Sequence, residues 1–358
     1  MMRLATSQTD AHHIMVGSRR IGPGCPAYVI AEAGVNHDGS VDKALLLIDA
    51  ARDAGADAVK FQMFRADELA SATAHTAEYQ KSSGGGSQRD MLTRLELKQE
   101  DFRRICGHCH QCGIEFLATP FGVHDVDRLI ELRVNAFKIA STDLNNLPLL
   151  RHVVDTGLPL IVSTGAATAD EIHACAERLV SMNAGDRSIL LHCVSAYPTP
   201  LEAANLRAVS TLRFTFGLHS GFSDHTTDTR TGSWAAALGA RVIEKHITLD
   251  RSTPGPDHAM SLLPSELAEY IKNVRDVERA LGGGALGMDP IEIDVRNVAR
   301  KSLVAARDLR AGETLTPEMV CIKRPGNGIP PDRQEEAIGR RVAVDVPQDT
   351  TLTWEMLQ

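Results

Sequence analysis

Two histidines at the ends of apolar runs are the residues best suited to bind a metal in this chain. His225 comes shortly after an apolar run that ends at Phe222, and His246 ends a run that begins at Val242. Neutral imidazole binds manganese, iron, cobalt and zinc, and a two-histidine site leaves positions open for water and a substrate oxygen. The pair therefore predicts a Lewis-acid metal acting on a carbonyl, while two unrelated polar residues beside loops is the alternative.

Lysines and hydroxyl groups end several other apolar runs. Lys60 and Lys138 are the two lysines, and the hydroxyl-bearing residues are Thr119, Ser141, Ser163, Ser195 and Ser223. Two cations with several hydroxyl donors suit a phosphate dianion. A lysine on a barrel strand can instead form a Schiff base with a carbonyl substrate. Either lysine can also be held in a structural ion pair with Glu32 or Glu244, and the residues alone leave these interpretations open.

The elements that carry these residues alternate between short apolar runs and longer helical patterns. Helical patterns such as 42–54, 126–132, 147–156, 169–182 and 265–281 separate eight candidate strands, which are 28–33, 58–62, 115–119, 136–140, 158–163, 189–193, 218–222 and 241–245. This order and length predict a (β/α)8 TIM barrel, in which the carboxyl ends of all strands meet at one face. An open doubly wound sheet is the alternative, but no Gly-x-Gly-x-x-Gly follows the first strand.

The bulk composition limits the function. The net charge is −8, which argues against nucleic acid as the main partner. No run of about 18 apolar residues is present, so we expect no membrane span. The first 22 residues lack an apolar signal region, and an odd number of cysteines, seven, fits reduced thiols. We therefore expect a cytoplasmic enzyme that acts on small molecules.

Changes in composition and in the pattern of apolar residues along the chain indicate the domain organisation. We predict a polar tail over 1–22, a catalytic barrel over 23–285, a linker over 286–298 and a small β-rich domain over 299–358. The glycine-rich segment 82–87 is either a lid or a surface loop. Cys106-Gly107-His108-Cys109-His110 matches the C-x-x-C-H pattern of haem attachment, and Cys112 follows it, but no export signal is apparent, so reduced thiols are favoured over haem or zinc.

The strand-end motifs together resemble the sialic acid synthase family. They include Ala31-Glu32-Ala33-Gly34-Val35-Asn36-His37, Val59-Lys60-Phe61-Gln62, Ala118-Thr119-Pro120-Phe121, Phe137-Lys138-Ile139-Ala140-Ser141, Ser163-Thr164-Gly165, Ser195-Ala196-Tyr197-Pro198, Ser223-Asp224-His225-Thr226, Glu244-Lys245-His246 and Pro254-Gly255-Pro256-Asp257-His258. The end of the chain, with Lys323-Arg324-Pro325-Gly326-Asn327-Gly328, is similar to the SAF (antifreeze-like, β-clip) domain of that family.

This resemblance implies a TIM barrel followed by an SAF domain, and a metal-dependent condensation of phosphoenolpyruvate with N-acetylmannosamine and water, giving N-acetylneuraminate and phosphate. It implies that His225 and His246 bind a divalent metal, most simply Mn²⁺, with Mg²⁺ or Co²⁺ as alternatives. It assigns Glu32 to catalysis and the following residues to substrate binding: Lys60, Gln62, Thr119, Lys138, Ser141, Ser163, Ser195, Tyr197, Ser223, Asp257 and Arg324. It also implies a homodimer with a swapped SAF domain, so that Arg324 closes a partner's site.

The acceptor sugar stays open in the sequence. Ser195 stands where some members of the family have asparagine, and Glu78-Tyr79-Gln80-Lys81 resembles members that make legionaminic acid. The acceptor is therefore N-acetylmannosamine or 2,4-diacetamido-2,4,6-trideoxymannose. A synthase of the octulosonate phosphate type, a Schiff-base aldolase and a non-catalytic carbohydrate-binding protein are the other hypotheses.

Overall fold

The computed structural model describes residues 12–71, 74 and 87–358. The segments 78–81 and 82–86, which bear on the acceptor and on a lid, lie outside the described residues. The chain divides into two units, Met1–Gly282 and Gly283–Gln358. No helix in the described ranges is long and apolar enough to cross a membrane.

A short antiparallel hairpin precedes the main sheet. Its strands are β1 (Ile14–Val16) and β2 (Arg19–Ile21). Their apolar side chains are buried in one cluster with side chains from the main sheet, such as Ile30 and Ile189. This differs from the polar tail predicted over residues 1–22, because alternating apolar residues bury one face of the hairpin.

Eight parallel strands form the main sheet of the first unit. They are β3 (Tyr28–Gly34), β4 (Ala58–Met63), β5 (Glu115–Pro120), β6 (Phe137–Ile139), β7 (Leu160–Ser163), β8 (Ser188–Cys193), β9 (His219–Asp224) and β10 (Val242–His246). Their hydrogen-bonded order is β5-β4-β3-β10-β9-β8-β7-β6. The edge strands β5 and β6 approach within 8 Å between Cα atoms. The sheet is thus a nearly closed barrel, and all eight predicted strands are present within two residues of their expected bounds.

Helices on the outside of the barrel connect these strands. They are α1 (Val41–Asp53), α2 (Ala66–Leu69), α3 (Gln88–Leu95), α4 (Gln99–Cys112), α5 (Val123–Glu131), α6 (Leu147–Asp155), α7 (Ala169–Ser181), α8 (Arg207–Phe216), α9 (Thr231–Ala237) and α10 (Pro264–Leu281). Local chemistry sets their ends. Ser40 caps α1 by accepting a hydrogen bond from the Lys43 amide, and Gly113 ends α4 in the left-handed conformation at φ 73°.

Two layers of apolar side chains hold the barrel together. One large cluster lies between the strands and the helices, and includes Val29, Val59 and Leu47. A smaller cluster fills the lower interior of the barrel and includes Tyr28 and Val242. The residue after each of these two, Val29 and Ile243, belongs to the outer cluster, as the two-residue period of a strand requires.

The second unit is small and has its own core. It contains α11 (Ile293–Ala299), α12 (Gln334–Ala337) and an antiparallel pair, β11 (Ser302–Ala305) and β12 (Val320–Lys323). Buried Leu303, Leu315 and Leu352 contribute to its core. The apolar run 342–346, whose pattern predicts a strand, instead forms isolated bridges at its two ends. The predicted linker at 286–298 contains most of α11, which suits its helical spacing of Ile and Val.

Candidate active site

Polar residues follow apolar ones along the inward-facing positions of the barrel strands. Ile30, Leu117 and Ile161 belong to the interior cluster. Two residues further along, each strand carries Glu32, Thr119 or Ser163, and all three are buried. Since side chains alternate across a strand, these polar groups face the same interior one layer higher. The upper interior of the barrel is therefore a buried polar site at the carboxyl ends of the strands.

Lys60 lies at the centre of one half of this site. Its Nζ is 2.7 Å from Glu32 Oε2 and donates to Thr119 Oγ1 at 3.1 Å. Gln62 donates from Nε2 to Glu32 Oε1 at 3.2 Å. The parallel register aligns Glu32 with Lys60, and Thr119 lies two residues beyond Leu117, the residue aligned with Lys60. The structure thus brings four predicted site residues into one network.

Lys138 and Glu244 organise the other half. Lys138 Nζ donates to Ser163 Oγ at 2.7 Å, and Ser223 Oγ donates to Glu244 Oε1 at 3.0 Å. The Glu244 carboxylate lies 3.8 Å from Lys60 Nζ and 4.0 Å from Lys138 Nζ. Glu244 therefore joins both lysines, although the sequence assigned it only a structural ion pair. Glu244 lies two residues before His246 on the same strand, and this spacing indicates that both side chains face the barrel interior.

The protonation of the four charged groups follows from burial and pairing. Burial raises the pKa of Glu32, with a contribution from Glu244, although Lys60 opposes the change. Burial also acts on Glu244, but Lys138 and Lys60 outweigh it and lower its pKa. The pKa of Lys60 is raised because Glu244 and Glu32 outweigh burial, whereas burial lowers the pKa of Lys138. Glu244 is thus the firmly ionised carboxylate, and Lys60 the firmly charged amine.

The two predicted metal ligands face each other. The rings of His225 and His246 have centroids 5.5 Å apart at an interplanar angle of 61°. His225 Nδ1 is 2.7 Å from the Val194 carbonyl, so it carries the proton and Nε2 is left with its lone pair. His246 Nδ1 is buried and has no hydrogen-bond partner.

These observations fit a divalent metal. Burial lowers the pKa of His225, and burial followed by the charge of His225 lowers that of His246, so both imidazoles are neutral as metal ligands must be. In the described part of the chain, no third imidazole, thiolate or carboxylate completes a three-ligand cluster with them. Water or substrate would supply the remaining ligands, and the identity of the metal stays a prediction.

Asp257 and Tyr197 lie beside the histidine pair. Asp257 Oδ2 is 3.8 Å from His246 Nδ1, and the Tyr197 ring centroid is 4.4 Å from that of His225. Burial, together with the charge of Glu32, raises the pKa of Asp257 to about 7. These two residues therefore lie at the rim of the candidate metal site, and their role in substrate binding stays a prediction.

Ser141 and Ser195 form a separate cluster around Cys193. Ser141 Oγ lies 3.4 Å from Cys193 Sγ and accepts a hydrogen bond from the Gly165 amide at 2.9 Å. A Cβ atom on Gly165 would lie closer than 3.0 Å to the side chains of all three. Glycine is therefore required here by close approach, and Cys193 is a member of the site that sequence reasoning missed.

A buried ion pair supports the strand ends from behind. Asp224 and Lys245 point out of the barrel, and Lys245 Nζ lies 2.9 Å from Asp224 Oδ2 and donates to the Thr226 carbonyl at 2.6 Å. Tyr270 on α10 donates its hydroxyl to the same carboxylate at 2.9 Å. This pair fixes the backbone that carries Ser223, His225 and His246.

Arg324 lies on the surface of the second unit, in the turn after β12. Its side chain is exposed. Its contact with a substrate in a partner's barrel stays a prediction.

The fold and site define a (β/α)8-barrel protein with a buried lysine–carboxylate cluster and a histidine pair at its strand ends, followed by a small β-rich domain. Residues 47–285 match the NeuB family and residues 300–358 match the SAF domain. The chain therefore belongs to the NeuB family, and the resemblance seen in the sequence motifs is confirmed.

Similar proteins cover nearly the whole chain. It is 39% identical over 347 residues to the N,N'-diacetyllegionaminic acid synthase of Legionella pneumophila, covering 96% of this chain and 98% of that protein. It is 35% identical over 346 residues to the N-acetylneuraminate-9-phosphate synthase of Mus musculus, covering 95% of each. The crystal structure of an N-acetylneuraminic acid synthetase from Leptospira borgpetersenii in complex with citrate matches with a TM-score of 0.71 at 35% identity, covering 80% of this chain and 96% of that one.

Proposed function

We propose that this protein condenses phosphoenolpyruvate with an N-acetylated amino sugar and water, and releases phosphate by cleavage of the C–O bond. The single observation that carries the proposal is the placement of Lys60 and Lys138, with their hydroxyl partners, beside the His225–His246 pair in one buried site. The relatives named as sugar acid synthases support the same chemistry.

The lysine half of the site is the proposed phosphoenolpyruvate pocket. Lys60, Lys138, Ser163 and Ser223 supply two cations and two hydroxyls, enough to match a phosphate dianion. Glu244 lies within 4.0 Å of both lysines and holds them toward one point. The pKa of Glu32 is raised and that of Glu244 is lowered, so Glu244 is the more firmly ionised of the two carboxylates beside the lysines.

The histidine half is the proposed aldehyde site. A divalent metal bound by His225 and His246 would supply Lewis-acid polarisation of the acceptor carbonyl. Glu32, Gln62, Tyr197 and Asp257 surround the sugar in this proposal, and Glu32 stabilises the positive charge that develops at C2 of the enol. Glu32, Asp257 and the two histidines are buried, and exclusion of bulk water from them strengthens their interactions with a bound substrate.

The acceptor that we favour is 2,4-diacetamido-2,4,6-trideoxymannose. The similarity to a legionaminic acid synthase over 96% of the chain supports it. N-acetylmannosamine, the acceptor first expected from the sequence, is the second candidate, and the similarity to the Leptospira synthetase supports that one. We place the reaction in the cytoplasm, which stays a prediction.

A homodimer with an exchanged SAF domain is part of the proposal. Segment 286–298 carries exposed apolar side chains, of which Leu286 and Ile291 are 103% and 85% exposed. Exposed apolar side chains at this density are typical of an interaction surface. In such a dimer Arg324 would bind the N-acyl group of a sugar in the partner's barrel.

The test is a phosphate-release assay with phosphoenolpyruvate, Mn²⁺ and a panel of acetamido sugars. We expect release with one of the two named sugars, loss of release with EDTA, and loss in His225→Ala. The matched control is His110→Ala, which removes an exposed imidazole outside the site. Release that persists fully in His225→Ala, or a borohydride-trapped adduct on Lys60 or Lys138 without phosphate release, would contradict the proposed function.

A further inference from the structure

A second group of metal-binding side chains lies on the outside of the barrel, between α1 and α4. It consists of Asp49 on α1 with His108 and Cys112 on α4, and its three candidate ligand atoms lie within 4.8 Å of one another. In the described part of the chain this is the one such three-ligand group. The C-x-x-C-H pattern drew attention to this helix, but Cys106 and Cys109 are buried against the core, so the pattern itself does not form the group.

The spacing of the three ligand atoms matches one face of a tetrahedron around zinc. His108 Nε2 is 3.1 Å from Asp49 Oδ1, Cys112 Sγ is 3.5 Å from the same oxygen, and Cys112 Sγ is 3.4 Å from His108 Nε2. Ligands about 2.0–2.3 Å from a tetrahedral zinc lie roughly 3.3–3.6 Å from one another. His108 and Cys112 are four residues apart, so they stand one above the other on the same face of the helix. Little rearrangement is needed for all three to bind one ion.

The three side chains are partly exposed, so a metal ion can reach them from solvent. The side chains of His108 and Asp49 are 25% and 38% exposed, and Cys112 is half-buried. Arg52 is the competing group, since its Nη1 lies 3.2 Å from Asp49 Oδ1 and 3.4 Å from Cys112 Sγ. Arg52 also pairs with Asp53 at 2.8 Å, so it can leave the cluster without losing an anionic partner.

We propose that Asp49, His108 and Cys112 bind one zinc ion, with water in the fourth position. A thiolate, an imidazole and a carboxylate favour zinc over manganese, which prefers oxygen ligands. On binding, the Cys112 S–H bond breaks, a sulfur–zinc bond forms and the proton passes to solvent. Binding therefore strengthens as the pH rises.

The position of the site makes its role structural. Cys112 is the last residue of α4, shortly before β5 begins at Glu115. The helices return from the carboxyl ends of the strands to their amino ends, so this site lies at the end of the barrel opposite His225 and His246. An ion there would join α1 to α4 across a separation of 63 residues in the chain. It would stabilise the barrel without taking part in the condensation.

Cobalt substitution separates this site from the catalytic one. Co²⁺ is added to the metal-stripped full-length protein, and thiolate-to-cobalt charge-transfer absorption in the near ultraviolet is followed. We expect a band that saturates as Co²⁺ is added and disappears in Cys112→Ser. In His108→Ala the affinity for Co²⁺ should fall by more than the roughly 10–100-fold loss that outer-shell changes cause. The controls are His110→Ala, an exposed histidine on the same helix, and Cys321→Ser, another half-buried thiol.

Two further measurements test the site, namely Co²⁺ binding by Arg52→Gln and thermal unfolding with Zn²⁺. Removing the competing cation should tighten Co²⁺ binding about two- to fivefold, the range of an exposed ion pair. Zn²⁺ should raise the melting temperature of the wild type and of His110→Ala by more than that of Asp49→Asn, in which only the His225–His246 pair is left to bind it. Melting of each variant without metal shows whether it is folded. Absence of the band at excess Co²⁺, or a band that survives Cys112→Ser, overturns the proposal.

Discussion

Breaking the buried pair Asp224–Lys245 should destabilise the barrel strongly. Both side chains are fully buried, with Nζ and Oδ2 2.9 Å apart. Lys245→Met removes the cation and leaves the Asp224 carboxylate with neutral donors, namely the hydroxyls of Tyr270 and Thr231 and the backbone amide of Thr226. Removing one member of a buried ion pair typically costs about 3–5 kcal/mol, because the other charge stays buried and uncompensated. We therefore expect Lys245→Met to lower stability by about that amount.

Thermal unfolding followed by circular dichroism measures this cost. At about 2 °C per kcal/mol, suited to a unit of this size, the melting temperature should fall by roughly 6–10 °C. Asp224→Asn should have a similar effect. The double variant Asp224→Asn/Lys245→Met should recover about 2–3 kcal/mol of the summed losses, since neither charge is left alone. Lys272→Met, which breaks an exposed pair with Asp276, is the matched control and should change stability by less than about 1 kcal/mol.

The double variant decides whether the reasoning is right. Single variants that each cost less than the control, or a double variant whose loss equals the sum of the two, would refute the claim that the pair acts as one charged unit. Phosphate release should also fall in the single variants that remain folded, because Asp224 stands between Ser223 and His225. A fall in stability without any change in phosphate release would show that the pair supports the barrel but not the site.

Three further predictions concern the site and its surroundings. Lys138→Met should raise the KM for phosphoenolpyruvate about 10- to 150-fold in steady-state kinetics, as expected for losing a charge-assisted hydrogen bond of about 1.5–3 kcal/mol; an unchanged KM would contradict the phosphate pocket. Gly165→Ala should cost about 1–3 kcal/mol in thermal melts, since its Cβ would crowd Ser195 and Cys193, and a neutral result would show that the cluster can shift. Burial lowers the pKa of His219 to about 4 from an unfolded value near 6.5, so the folded form binds fewer protons between these values. The free energy of unfolding should therefore fall by up to about 3 kcal/mol as the pH drops from 6.5 to 4. In His219→Gln this dependence on pH should be much weaker, and an unchanged dependence would show that another group causes the loss.

The barrel was predictable from the sequence because its strands are short apolar runs with helices between them. The predicted charged strand ends follow from the same pattern, since Glu32 and Lys60 come two residues after apolar inward positions. The hairpin at 14–21 was not predicted, because two three-residue strands give too short an alternation to stand out from a polar segment. The interior cluster that includes Ile14 and Ile21 supplies the burial that the local pattern does not reveal.

Some residues of the site could not be predicted from the sequence, and the reason is different from that for the hairpin. Glu244 and Lys245 are adjacent charged residues, and the sequence does not say which of them faces the interior until the register of β10 is known. The structure places Glu244 with the lysines and Lys245 behind the strand. Cys193 was missed because a thiol at a strand end is equally suited to a core. The Asp49–His108–Cys112 cluster depends on how α1 packs against α4, which periodicity cannot specify.

The barrel sheet is open between its two edge strands, β5 and β6. Among the described strands, no hydrogen-bonded ladder joins β5 to β6. Lys60 lies on β4, next to one edge of the split, and Lys138 lies on β6, which is the other edge. Both amines lie within 4.0 Å of the Glu244 carboxylate on β10, a strand in the middle of the sheet order. A dianion bound by both amines would therefore add a second link, beside the Glu244 carboxylate, between the strands on the two sides of the β5–β6 opening.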